Sequence, residues 1–272
     1  MTLLVSWIGV DARGPSSIYL ASDSRISWGD GPTWDYGRKL FASRGYPEIL
    51  AYFGDVLFPS HVLGQLMDLV DLGVFFGPHD SPGDKWMKVL ERIKASREDY
   101  PNVSSCDFGI VYGTREKSGM DSVFHVYSIE WQPGCEWTNE RRLSIPKESG
   151  VIGDWGSGHK PFVESKIRWL AEEGVRTSRG LFGAFCEALQ SGEDARSGGA
   201  PQLVRIYRKG PAKSLGVAYQ DKRYLLGMPI AKSCGLHSVE WRNSLFERVD
   251  WETLKPLEDA QRQPRPRGGG NA

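Results

Sequence analysis

Residues 2–25 read TLLVSWIGVDARGPSSIYLASDSR. Two β-rich runs, 3–10 (LLVSWIGV) and 17–22 (SIYLAS), flank the turn-forming stretch DARGPS, which predicts a β-hairpin at the start of the chain. A second hairpin is expected at 39–43 and 48–53 (EILAYF), with Gly45 and Pro47 at its turn. Helical spacing takes over from His61 to Leu72, where Val62, Leu66, Leu69 and Val70 share a stripe. It returns at 84–98, with Asp84 as N-cap and Trp86, Val89, Leu90 and Ile93 on one face. Strand-like runs follow at 107–112 and 122–129. Two more helices are predicted at 160–172 (Val163, Ile167, Leu170) and 178–190 (Leu181, Phe182, Phe185, Leu189), then last strands at 202–207 and 214–219.

Strands clustered in hairpins between helix pairs imply antiparallel sheets with helices outside, not the parallel sheet of a βα alternation. The expected fold class is α+β: a four-layer αββα sandwich of two antiparallel sheets flanked by helices. The segment 221–256 reads as an extension packed on the core or on a neighbouring subunit, because Trp241, Leu245, Phe246 and Trp251 need burial. The Pro/Gly/Arg-rich tail 257–272 is expected to be disordered.

Lys+Arg and Asp+Glu balance at 34 each, so nothing points to nucleic acid or an anionic membrane. No apolar run reaches membrane-spanning length, and the N-terminus lacks the basic leader and cleavage site of a signal peptide. A cytoplasmic location is expected. The four cysteines, Cys106, Cys135, Cys186 and Cys234, include no C-x-x-C pair and read as free thiols. The five histidines show no metal-ligand spacing, so neither a metal nor a cofactor is expected.

Four places carry chemistry. A threonine hydroxyl needs a base, and the α-amino group of the same residue can supply it if Thr2 is uncovered by loss of Met1. Ala21-Ser22-Asp23-Ser24-Arg25 ends the second strand, and Lys39 follows Asp23 by 16 positions at the start of the third. A buried lysine there would hold positive charge beside the threonine and favour its unprotonated amine. Gly153-Asp154-Trp155-Gly156-Ser157-Gly158 precedes a helix, and Glu193-Asp194-Ala195-Arg196-Ser197-Gly198-Gly199 separates a helix from a strand. Taken singly, the last three read as a surface turn, a flexible loop or phosphate site, and a linker.

In this order, the segments resemble the catalytic β-subunits of proteasomes and their bacterial relatives, N-terminal-nucleophile (Ntn) threonine peptidases. The resemblance covers roughly residues 2–220. It implies Thr2 as nucleophile, Asp23 and Lys39 as the groups that set its charge state, and Ser157, Asp194 and Ser197 as supporting polar residues. It places Gly54 at the oxyanion hole and Ser27 and Tyr52 along the substrate cleft. It further implies a peptide or protein substrate, self-association into a ring-like oligomer, and an ATP-dependent unfoldase as a possible partner. The same centre would serve an Ntn amidase acting on a small amide or acylated side chain. A third reading is a non-catalytic subunit that only builds an assembly. The chain departs from the family in a longer first hairpin, in Leu3 after the threonine, and in the bulky Phe53 and Asp55 around Gly54.

Overall fold

The opening apolar run is buried on both faces. The computed structural model describes residues 2–29, 31–101, 106–134, 137–171, 177–232 and 238–261. Its elements are β1 (Leu4–Asp11), β2 (Gly14–Ser22), the short β3 (Ile26–Ser27) and β4 (Thr33–Trp34), β5 (Leu40–Ala42), β6 (Glu48–Gly54), α1 (Leu57–Asp71) and α2 (Pro82–Glu98). The chain continues with β7 (Phe108–Glu116), β8 (Val123–Trp131), β9 (Thr138–Arg142), β10 (Gly150–Trp155), α3 (His159–Leu170) and α4 (Ser178–Ser191). It closes with β11 (Gln202–Tyr207), β12 (Lys213–Tyr219), β13 (Lys222–Leu225), β14 (Met228–Pro229), β15 (Trp241–Asn243) and β16 (Arg248–Val249).

One sheet runs β10-β1-β2-β11-β12-β13-β14, and the other runs β5-β6-β7-β8-β9. Strand alternation decides which core each side chain joins. Leu4 and Ile8 of β1 meet Ile49 and Ala51 of β6 and Val111 of β7 in the layer between the sheets. Val5 and Trp7 point the other way, onto Phe162, Leu181, Phe182 and Phe185 of α3 and α4. On the far side of the second sheet, Leu50, Tyr52 and Ile110 pack under Val62, Leu66, Trp86 and Ile93 of α1 and α2. The result is a four-layer αββα sandwich. Among the described pairings, the parallel one is β12 with β15, which takes over from β11 after Leu215. Gly216 permits it, since any Cβ there would run into the Trp241 ring.

Several local expectations change. α1 starts at Leu57, four residues before His61. α2 is capped by Ser81, not Asp84: the Ser81 hydroxyl accepts the Asp84 N–H, and the Asp84 carboxylate accepts the Ser81 N–H at 2.9 Å. In α3 the buried face is Phe162, Ser165 and Trp169, while Ile167 is 63% exposed. The bare glycine face of Gly183 on α4 admits the Trp169 ring, and that notch fixes the rotation of α3. β9 and β10 are edge strands, too polar or too glycine-rich to show an apolar alternation.

Trp241 and Phe246 are buried against their own chain, with Phe246 packed on Trp7, Tyr19 and Phe182. They are therefore no assembly surface. Backbone hydrogen bonds persist to Ala260 in the segment expected to be a tail, whose residues 262–272 lie outside the described residues. Cys106 is exposed and Cys186 buried, both unbridged, while Cys135 and Cys234 lie outside the described residues. No helix among the described residues is long and apolar enough to cross a membrane.

These layers predict a sharp contrast. Phe182→Ala removes a fully buried ring and should cost about 3–5 kcal/mol of unfolding free energy. Ile167→Ala should change it by less than about 0.5 kcal/mol. Urea denaturation measures both, and comparable losses would mean that α3 is rotated from the position described.

Candidate active site

The sandwich brings four separate stretches to the same end of β1. Thr2 is fully buried, and its neighbour Leu3 donates its N–H to Asp23 Oδ1 at 3.1 Å. The Leu3 carbonyl accepts the Asp23 N–H at 3.2 Å, so the ends of β1 and β2 are locked in register. On the other side, the Gly158 N–H donates to the Thr2 carbonyl at 3.3 Å. Gly156 sits against that same carbonyl with φ +94°, and a side chain there would collide with it. The G-S-G loop thus grips the threonine backbone from the β10 side while Asp23 anchors the next residue from the β2 side.

Asp23 and Lys39 are both completely buried, and Lys39 Nζ donates to Asp23 Oδ1 at 2.7 Å. The carboxylate is saturated. Its Oδ2 accepts the Arg25 N–H at 3.1 Å and the Gly198 N–H at 3.0 Å. Burial pulls the Lys39 ammonium below its ordinary value, and the Asp23 charge and hydrogen bond oppose that pull. A buried charge pair of this kind is strongly destabilising to break, because the survivor is left uncompensated.

Gln202 holds the pair in place. Its Nε2 donates to the Asp23 carbonyl at 2.9 Å and to the Gly37 carbonyl at 2.8 Å, and its Oε1 accepts the Lys39 N–H at 3.1 Å. Sequence reading missed this residue. The available signal was a polar side chain heading the buried strand QLVRIY. Arg25 adds a second tie, with a two-pronged contact to Asp35 at 2.7 and 2.9 Å and a bond to the Ala195 carbonyl at 3.1 Å.

Asp194 gathers the two remaining loops. Ser157 Oγ and Ser197 Oγ each donate to its Oδ2 at 2.6 Å. Partial burial favours the protonated acid, but the two hydroxyls, the Arg196 N–H and the Arg196 charge outweigh it and hold the carboxyl below its ordinary value. Thr2, Asp23, Lys39, Ser157, Asp194 and Ser197 therefore occupy one connected neighbourhood.

A cleft of about 550 Å³ opens beside it, lined by Ser27, Phe53, Gly54, Trp131, Gly156 and Ser157 among others. Gly54 has φ +87° at the end of β6, where a side chain would strike the Asp107 carbonyl, so glycine is required. Tyr52 needs correction. It lies two residues before Gly54 on the helix-facing side of β6, buried under α1, with its hydroxyl on the Arg38 carbonyl at 3.0 Å. Strand alternation sends Phe53 to the cleft instead, stacked on Trp155.

No protein-family model and no curated protein matches the sequence. Solved structures do. A mutant of Anbu from Hyphomicrobium sp. strain MC1 matches at TM-score 0.49 and 14% identity, over 79% of this chain and 86% of that one. HslV from Trypanosoma brucei matches at 0.46 and 10%, over 75% and 99%. Anbu (ancestral beta-subunit) from Yersinia bercovieri matches at 0.49 and 11%, over 82% and 87%.

Two outcomes follow from this geometry. Lys39→Met should lower stability by about 3–5 kcal/mol in urea denaturation, because it strands a buried carboxylate. A loss near zero would mean that Lys39 reaches solvent. Asp194 has a depressed pKa in the folded chain, so its contribution is present above its ordinary 3.8 and disappears as pH falls through the folded value. Wild type should exceed Asp194→Asn in stability at about pH 7, with the gap closing below about pH 4. A gap that stays constant with pH would exclude the carboxylate charge as its source.

Proposed function

We propose that this chain is an Ntn hydrolase that cleaves peptide bonds, with Thr2 as nucleophile once Met1 is removed. The observation that carries the reading is the fully buried Asp23–Lys39 pair, one hydrogen bond away from the residue after Thr2. A buried lysine–aspartate pair is costly as a structural device alone. Its place at the strand end that abuts the threonine gives it a purpose, which is to hold the electrostatics of the amine and hydroxyl there.

With Met1 attached, the Thr2 nitrogen is an amide and has no basic lone pair. After its removal, the α-amine takes the Thr2 Oγ proton as that oxygen attacks the substrate carbonyl. The tetrahedral oxyanion forms toward Gly54 at the cleft margin. The ammonium then returns the proton to the leaving amine, and an ester to Thr2 remains. Water, deprotonated by the same amine, releases the acid and restores the threonine. Lys39 lowers the proton affinity of the amine, and the Ser157–Asp194–Ser197 cluster fixes the loop that grips Thr2. Ser27 and Phe53 line the groove for the substrate.

An Ntn amidase uses the same steps on a smaller substrate, and the cleft's volume accommodates either. A purely structural subunit is disfavoured by the retention of a buried ion pair at the threonine. Self-association is part of the proposal. Its contact is placed on the exposed aromatics of the β3–β4 hairpin, Trp28, Trp34 and Tyr36, in place of Trp241. An unfoldase partner would supply extended chains to such an assembly.

Purified protein should show an intact mass lacking Met1 and should hydrolyse fluorogenic acyl-peptides. Thr2→Ala should reduce turnover by about 10⁴-fold or more while leaving the fold intact. Retained Met1 in active protein, or an active Thr2→Ala variant, would overturn the mechanism. A strictly monomeric mass in light scattering of active protein would remove the assembly and leave the amidase.

A further inference from the structure

A second cavity, also about 550 Å³, lies at the opposite end of β1, between the hairpin turn, the start of α4 and the β15–β16 segment. Gly9 and Val10 line it, so along the strand it is on the order of 20 Å from Thr2. It is separate from the candidate active site.

Three arginines from three elements line it: Arg179 from the first turn of α4, Arg242 from β15 and Arg248 from β16. Among the described lining residues, Asp259 is the carboxylate facing them. Burial pulls the Arg179 pKa down, with Arg242 adding to the pull and Glu247 opposing it. Two cations therefore line the same partly buried cavity, with the Glu247 carboxylate acting on Arg179 from nearby. Arg242 is fixed from behind by Glu240 and by the Phe246 carbonyl at 3.0 Å, and Glu240 is shared with Arg205. Glu247 is engaged by the Asn243 amide at 2.8 Å. Arg248 pairs with Asp259, whose side chain is 72% exposed. An ion pair that open to water contributes little, so an incoming anion can displace it. The positive end of the α4 dipole adds to the same field.

We propose that this cavity binds a small phosphate-bearing ligand. Arginines from three elements suit a group with acceptor oxygens on every side better than a planar carboxylate, which one arginine can satisfy. The volume falls in the range of small-molecule sites. The hydroxyls of Ser16 and Ser149 are already committed to the Gly9 and Val10 backbone, which leaves Ser17 and Ser178 as further lining hydroxyls beside the arginines.

The test is calorimetric titration of the full chain with pyrophosphate at fixed ionic strength, alongside citrate. Saturable pyrophosphate binding is expected, tighter than that of citrate. Arg179→Gln should weaken it about tenfold, the worth of one charge-assisted hydrogen bond. Asp259→Asn should tighten it by removing the competing carboxylate, a gain that misfolding cannot produce. Peptide hydrolysis at Thr2 should be equal in both variants, so this test stands apart from the catalytic reading. No saturable binding, equal affinity in wild type and both variants, or tighter binding of citrate would overturn the proposal.

Discussion

The buried ion pair between Asp23 and Lys39 is the constraint around which the rest of the candidate site is arranged. A charge pair with no solvent access survives only if every remaining lone pair and proton is satisfied. Here the carboxylate takes one bond from lysine and three from backbone N–H groups, of Leu3, Arg25 and Gly198. Those three come from the residue before β1, from the stretch after β2 and from the loop before β11. Satisfying one aspartate therefore positions three segments of chain, and Thr2 is carried with the first of them.

The loops on the other side follow the same logic at lower cost. Asp194 is partly solvated and draws in two serine hydroxyls from different loops. Glycines do the close work where backbone meets backbone. Gly156 presses on the Thr2 carbonyl, and Gly54 passes the Asp107 carbonyl at the cleft edge. Both sit at positive φ, which a side chain would strain. The threonine is thus held by rigid neighbours, through its own carbonyl and through Leu3 beside it.

Much of this was legible in the residues. Asp23, Lys39, Ser157, Asp194 and Ser197 stand in short polar segments between apolar runs, and such segments can be assigned to strand ends and loops without coordinates, but their grouping into one site was implied only by the family resemblance. Gln202 and Tyr52 show the boundary. Gln202 bonds to both the Asp23 and Lys39 stretches, yet it reads as an ordinary polar residue opening a strand, because its partners are more than 160 positions away. Tyr52 was expected in the cleft because the family resemblance puts a cleft residue at that position. One step along a strand reverses the face, and only the pairing of β6 with β7 and the helices above it tells which face is which.

The sequence by itself determined the α+β class, the hairpin at the start, the four helices and the strands β1, β2, β5 to β8, β11 and β12, because each depends on local periodicity and turn chemistry; the polar or glycine-rich edge strands β9 and β10 and the short strands after β12 gave no such signal. It also determined the order of the polar segments. The tertiary structure alone decided the rotation of α3, which turns on a glycine of α4 making room for Trp169 and not on the apolar stripe through Ile167. It decided that Trp241 and Phe246 are covered by their own chain, since burial of an apolar side chain can be met by any surface of matching shape. It decided, finally, that a lysine 16 positions from an aspartate meets it out of reach of water, for spacing along a chain sets no distance until the sheets are packed.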